Sequence, residues 1–332
     1  MKGNIQEQTF FGQSAIHLQA SHYEAYILPN IGANLVSFRH TERNLQFLRE
    51  PQNEAEMGTL VENPTIWGIP VLFPPNRYED GQFKWNGKQY NFPINEKDKN
   101  NHLHGFLHSI PWQVDSTSTA DHECGVTLSL NIDQQHPMYK YFPHMFKIQL
   151  RYVLSAKGLF QHILIHNTGQ DMLPCMLAFH TTLNAPFDPK STASDYIFKA
   201  NIGQRWEVNE RMLPTGHVQP LNEDEQKIKT NGVNPFFEEM DNHYSANPVN
   251  GSNRMELIDQ RTNIKLIYDA GTAYKHWMIW NNEATPGFFC PEPQTNRINA
   301  PNLQACDDEV GIIGVAPGEI WEETSRLYSI AP

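Results

Sequence analysis

The amino-acid sequence predicts an all-β fold, a large antiparallel β-sandwich with few short helices. Three observations lead there. Apolar and polar residues alternate with a period of two over several stretches, the pattern of a half-buried strand. Turn formers are frequent and evenly spread, with 23 Pro and 20 Gly among 332 residues. No stretch carries a helical apolar stripe longer than about two turns. Many short strands, frequent turns and few helices characterise sandwiches and barrels.

Taken in order, residues 23–40 read as two strands around a Pro29-Asn30 and Gly32 break. Residues 50–63 suit a short helix. Residues 83–96 read as a hairpin turning at Asn86-Gly87. Val126, Leu128, Leu130 and Ile132 alternate with polar residues, as do Phe146, Ile148, Leu150 and Tyr152, so strands are expected at 126–132 and 146–154. Residues 221–229 suit a second short helix. Residues 263–269 and 274–281 read as strands. Further Asn-Gly pairs at 231–232 and 250–251 mark tight turns. No linker, repeat or shift in composition marks a boundary, so residues 1–332 are expected to form one domain, large for a single core but within the habit of β-sandwiches.

Hydrophobic residues make up 39% of the chain, with 18 Phe, 12 Tyr and 7 Trp, enough for a sizeable core. The net charge of −12 comes without any Lys/Arg run, which speaks against nucleic acid, whose phosphates need a basic face. It also weighs against a phosphorylated substrate. Cys124, Cys175, Cys290 and Cys306 form no CxxC pair, as expected of reduced thiols in a cytoplasmic protein. The N-terminus lacks the apolar stretch of a signal peptide, and no apolar run reaches the ~18 residues of a membrane span. Neither membrane nor nucleic acid is expected as a partner.

Four stretches place ionisable residues among apolar ones, where a charge needs a partner or a purpose. In "WGIPVLFPPNRYEDG" (67–81), Arg77 follows stiffening prolines and offers five fixed donors to a sugar hydroxyl pair, a carboxylate or a structural salt bridge. In "NHLHGFLHSIPW" (101–112), His102 and His104 would face one side of an extended chain, and Gly105 permits close approach of a ligand or another backbone. Two such histidines could chelate zinc, but no further ligand stands at a matching spacing, so no metal is expected. In "MLAFHTTLNAPF" (176–187), His180 lies in an apolar, neutral run, either as a structural imidazole or as a tuned general acid. In "FCPEPQTNRINAPN" (289–302), prolines on both sides hold Glu292 extended on what reads as a rigid, semi-apolar loop, and raised basicity there suits a general base.

Together, in this order, these stretches resemble the aldose 1-epimerase (galactose mutarotase-like) family. The segments "GIPVLFP", "FKWNGKQYNFPINE" (83–96), "YFPHMFKIQLRYVLS" (141–155) and "HNTG" (166–169) carry the same likeness, from about residue 20 to the C-terminus. The resemblance implies a large antiparallel β-sandwich and no cofactor. It implies Glu292 as the base that takes the proton of the anomeric hydroxyl, and His180 as the acid that protonates the ring oxygen. His104 would be a second histidine beside them. Arg77, with its neighbour Asn76, and Asp241 in "MDNHYS" would bind sugar hydroxyls. The substrate would be a free aldose and the protein a monomer or homodimer.

The chain departs from the family pattern twice. Phe106 follows Gly105 where a second glycine is usual, and Thr181-Thr182 follow His180 where proline is usual. Both changes are expected at the pocket rim, where they would alter sugar choice and mark a divergent branch. Trp67, Trp277 and Phe289 are candidates to stack on a sugar or to fill the core. Three rivals stand beside this reading. A hexose-6-phosphate 1-epimerase would need extra cations near the pocket, with Arg205, Arg261 and Arg297 available. A non-catalytic carbohydrate-binding protein could use the same fold. A glycoside hydrolase would need two carboxylates where this set has one Glu and two His.

Overall fold

The structure is a computed structural model and describes residues 2–331. Five strands open the chain: β1 (Asn4–Phe10), β2 (Gln13–Ala20), β3 (Tyr23–Leu28), β4 (Asn34–His40) and β5 (Leu45–Gln46) form one antiparallel sheet in sequence order. Helix α1 (Glu54–Glu62) follows, capped by Asn53, whose side chain accepts from Glu56 N. Short strands come next: β6 (Val71–Leu72), β7 (Arg77–Glu79), β8 (Gln82–Trp85), β9 (Lys88–Asn91) and β10 (Asn101–Leu103). β8 pairs with β9 and β7 with β10.

The long strands β11 (Gln113–Ala120), β12 (Glu123–Ile132), β13 (Phe146–Ser155) and β14 (Gly158–Asn167) form a meander. β15 (Leu173–Cys175), β16 (Ala178–Phe179), β17 (Leu183–Ala185), β18 (Tyr196–Ala200), β19 (Ile202–Val208) and β20 (Pro214–Gln219) lead to helix α2 (Glu223–Ile228). Then come β21 (Asp241–Ala246), β22 (Arg254–Asp259), β23 (Ile264–Asp269), β24 (His276–Trp280), β25 (Gly287–Gln294), helix α3 (Asp307–Val310), β26 (Ile313–Val315) and β27 (Ile320–Ile330).

Two large antiparallel sheets result. One runs β11-β12-β13-β14-β27-β23-β22-β18; the other runs β20-β19-β21-β24-β25-β16-β6, with β17 also on β25. The period-two strands are where the sequence puts them: Phe146, Ile148, Leu150 and Tyr152 are all fully buried on β13. Burying such a side chain stabilises the fold by roughly 1.5–3 kcal/mol. The hairpin turning at Asn86-Gly87 and both short helices form as expected; α3 was not legible, being a single turn in an acidic loop.

Alternate residues of a strand face opposite ways. On β24, Trp277 and Ile279 point into the sandwich, where Trp277 meets Tyr268 of β23 at 6.3 Å between centroids and donates to Asn253 Oδ1 at 2.8 Å. Phe289 of β25 meets Phe198 of β18 at 5.3 Å. Trp277 and Phe289 are therefore fully buried core residues and not sugar platforms. The four cysteines are free thiols, and no helix among the described residues is long and apolar enough to cross a membrane.

Candidate active site

The outward face of the second sheet carries the site. Register pairs Asp241 with Trp280, Trp280 with Cys290, and Met278 with Glu292. Asp241, Trp280, Met278 and Glu292 therefore share one face. Glu292 lies within β25 and not on a loop, a correction to the sequence reading. The prolines explain both expectations: Pro291 and Pro293 keep the chain extended, and they lie where β25 lacks a ladder partner on one edge. β17 covers residues 287–289 of β25 and β16 reaches it only at Gln294. The chain between β16 and β17 leaves the sheet across that gap, and it carries His180.

His180 is held there by its own N–H, which donates to Pro70 O at 3.1 Å. Its Nε2 comes within 3.3 Å of Glu292 Oε1, with both side chains buried. Gln294 Nε2 donates to the other carboxylate oxygen at 3.4 Å. Burial pushes the Glu292 carboxyl well above the usual carboxylate range; the negative field of Asp241 adds to this, and Arg77 opposes it. Burial pushes His180 down to about 3. The two shifts together favour an uncharged pair, with the proton on the carboxyl side.

His104 enters from β10, but not as a strand residue. β10 ends at Leu103, and His104 takes φ 66° in the left-handed region. Its ring stands edge-on to His180 with centroids 5.2 Å apart. Burial holds it well below its ordinary pKa, and His180 and Arg77 add to the effect. His102 points away instead, between Phe92 and Phe106, with Nδ1 2.7 Å from Pro93 O. The two histidines therefore meet different neighbours and do not share one side of an extended strand. His108 lies in a one-turn helix beyond them.

Gly105 is needed for backbone packing, not for a sugar. A Cβ there would lie 2.2 Å from Phe73 O, and its φ is also 66°. Gly105→Ala is expected to cost about 3 kcal/mol, combining a strained φ with a steric overlap. A thermal melt superimposable on wild type would contradict this.

Arg77 is gripped at one end. Its Nε donates to both oxygens of Glu96, at 3.0 and 3.1 Å, and its Nη1 lies 3.6 Å from Asp241 Oδ2. The backbone is pinned by Asn299, whose N–H donates to Arg77 O at 3.0 Å and whose Oδ1 accepts from Glu79 N at 3.2 Å. Asn76, with φ 60°, turns its Oδ1 to Arg77 N at 2.9 Å and its carbonyl to His104 N at 2.9 Å. Asn76 is buried and aligns its neighbours. The Asp241 side chain is 31% exposed, so the cleft opens there. A separate groove of about 860 Å³, lined by Arg39, Glu50, Trp67 and Phe187, holds none of these groups.

Glu292, His180, His104, Arg77 and Asp241, scattered over more than 200 positions, thus converge on one cleft. The aldose 1-epimerase family model matches residues 14–328. The chain belongs to the aldose 1-epimerase family. A galactose mutarotase-like protein from Clostridium acetobutylicum is 32% identical, covering 99% of this chain and 98% of its own, with a TM-score of 0.94. A galactose mutarotase-like protein from Lactobacillus casei shares the fold at 18% identity, covering 95% of this chain and 100% of its own, with a TM-score of 0.71. The uncharacterized protein YihR of Escherichia coli is 29% identical over 210 residues, which span 62% of this chain and 61% of that protein.

The two departures differ in depth: Phe106 is partly exposed, and Thr181-Thr182 are buried. Phe106 stacks on Tyr141 at 5.6 Å, among other rings. Thr181 and Thr182 are fully buried, and Thr182 Oγ1 receives the Cys290 thiol at 3.4 Å. Trp67 is also buried, under the Arg49 guanidinium at 4.0 Å. Trp280 is the half-exposed aromatic of the cleft, with its ring centroid 6.3 Å from that of His180. Trp280 and Glu96 were not singled out from sequence. A "WNN" strand end and an "NEK" turn look ordinary until register and folding bring them to Asp241 and Arg77.

The other arginines are engaged elsewhere. Arg205 binds Glu225 and Asn242, Arg261 binds Lys190 O, and Arg297 lies over Trp206 at 3.7 Å. None joins Arg77 in a clamp for phosphate.

Proposed function

We propose that the protein is an aldose 1-epimerase that interconverts the α and β anomers of a free aldose by acid–base ring opening. The observation that carries this is the buried contact of 3.3 Å between Glu292 and His180, beside the Arg77–Asp241 pair. The reaction needs one base and one acid at the C1–O5 unit. Glu292 takes the O1 proton as the C1–O5 bond breaks and C1=O1 forms; His180 gives its proton to O5. After rotation about C1–C2, O5 attacks the other face of C1, His180 recovers its proton and Glu292 returns one to O1. His104 hydrogen-bonds on the ring-oxygen side. Arg77 and Asp241 hold ring hydroxyls, and Trp280 lies against the sugar's apolar face.

The pair must hold one proton in total. Carboxylate with imidazolium is a tautomer of the uncharged pair, reached by moving one proton across the existing contact. The pair then titrates as a unit. Adding a second proton is resisted by the burial that holds His180 near 3; removing the last is resisted by the burial and Asp241 field that raise Glu292. The kcat profile is therefore expected to stay level from acidic pH upward and to fall on the alkaline side. Asp241→Asn removes a negative neighbour and is expected to move that alkaline limb to lower pH, once spontaneous mutarotation is subtracted. An unmoved limb would show that Asp241 does not act on Glu292.

Polarimetry on freshly dissolved α-D-glucose and α-D-galactose tests the reading directly. Acceleration of mutarotation is expected; none with any common free aldose would reject the proposal in favour of a binding protein. Chelator treatment is expected to leave the rate unchanged.

A further inference from the structure

The turn between β19 and β20 reaches out of the second sheet and is bolted to the ribbon that carries Arg77. Arg211 makes the bolt. Its Nε donates to Lys99 O at 2.9 Å and its Nη1 to Glu79 at 3.1 Å, while the two N–H groups of Nη2 are shared among Asp80 at 2.7 Å, Asn100 O at 3.0 Å and Asn101 Oδ1 at 3.3 Å. The fifth acceptor is the informative one. Asn101 is fully buried, and its Nδ2 donates both to Arg211 O at 2.9 Å and to Glu96 Oε2 at 2.9 Å. Glu96 is the carboxylate that grips Arg77 Nε. A continuous chain of hydrogen bonds therefore runs from Arg211 through Asn101 and Glu96 to Arg77.

The turn itself is ordered before it docks. Asn209 Oδ1 accepts from Arg211 N at 2.9 Å and Leu213 N at 3.1 Å. Leu213 is buried against Met278 and Ile298, and Met278 is paired directly with Glu292. The same short turn thus braces the Arg77 side of the cleft with a guanidinium and the Glu292 side with an apolar contact. A planar five-donor fork on a preorganised turn suits one geometry and no other. A salt bridge serving only surface stability would not need a buried amide as its link.

We propose that Arg211 is a positioning residue, holding Glu96 through Asn101 so that the Arg77 guanidinium is presented to sugar hydroxyls in one orientation. This rests on the reading of Arg77 as a sugar-binding group. Arg211→Ala is expected to raise KM about tenfold while kcat stays within about threefold, because the binding grip loosens and the Glu292–His180 pair does not. Glu96→Gln is expected to raise KM as well, and the double variant to be no worse than the worse single, since both act on one chain. Additive effects, or an Arg211→Ala variant altered only in melting temperature, would overturn the proposal.

A second readout does not depend on turnover. The Arg77 Nε–H signal in ¹⁵N NMR, identified by its loss in Arg77→Lys, is expected to exchange with solvent at least tenfold faster in Arg211→Ala. Should that variant fold poorly, Asn101→Ala cuts the same chain while leaving the Arg211 contacts to Lys99 O, Glu79 and Asp80 in place, and is expected to give the same result. Unchanged exchange in a folded variant overturns the strap. Absence of mutarotation in the wild type, with exchange quickened, rejects the enzymatic reading and leaves the strap standing.

Discussion

Glu292→Gln is expected to lower kcat for anomer interconversion at least a hundredfold, at about the size of one general-base contribution, while sugar affinity stays near that of wild type. The amide keeps the shape of the carboxyl and can still contact His180 and Gln294, but it cannot take the O1 proton. The variant is also expected to fold. Burial raises the carboxyl's pKa in the folded state above its unfolded value. A group shifted in that direction contributes stability that is fully present below the unfolded pKa and is lost as pH rises through the folded pKa. Gln carries no such loss, so the variant's melting temperature is expected to equal or exceed the wild type's, with the margin widening towards alkaline pH. Polarimetry, sugar titration and thermal melts on one preparation check all three. A near wild-type rate would mean that another group takes the proton.

Replacing His180 by Asn is expected to cost about a hundredfold or more in kcat for the complementary reason. Asn keeps a polar amide only near the position of Nδ1, loses the Nε2 contact to Glu292, and has no proton to give to O5. On the proposed mechanism the two groups form one proton-carrying unit, so the double variant with Glu292→Gln is expected to be about as slow as the slower single variant. A multiplicative loss would mean that the two work in separate steps. A rate for the His180 variant within threefold of wild type would move the acid role to His104, whose ring is the other imidazole at this place, with centroids 5.2 Å apart.

The distances also show how a buried Glu–His contact can be built from an ordinary sheet. Two prolines in β25 sit where one edge has no ladder partner, and the strand that should have filled the edge is interrupted at His180. Glu292 stays on a rigid strand, and His180 is pinned by a single backbone bond to Pro70 O. The "EP" and "FH" signals were visible in the chain; their relation was not, because it depends on β16 and β17 both pairing with β25 across more than 100 residues.

Local signals locate elements where the physics is local. Period-two alternation placed β12 and β13, and the Asn86-Gly87 pair placed the β8–β9 hairpin. The stretches around Arg77, His104, His180 and Glu292 stood out because each puts an ionisable group among apolar neighbours. Errors arose where a residue's meaning depends on what folds against it. Gly105 offered close approach to a ligand or to another backbone, and the backbone of Phe73 takes the place. Trp277 and Phe289 looked available for stacking and face the core, whereas Trp280 faces the cleft. The direction of a strand residue is set by register, and register is set by distant partners.

The sequence by itself therefore determined the fold class, the family and the four stretches that place ionisable groups among apolar neighbours, since periodicity, turn chemistry and ordered motifs are properties of the chain. Only the tertiary structure decided that Glu292 and His180 touch, that Glu96 and not a second arginine accompanies Arg77, and that Arg211 braces that grip from 110 residues beyond Asn101. Those facts are contacts between groups far apart along the chain. They exist only once the sandwich has closed its core and brought the outward face of the second sheet against the β7–β10 ribbon.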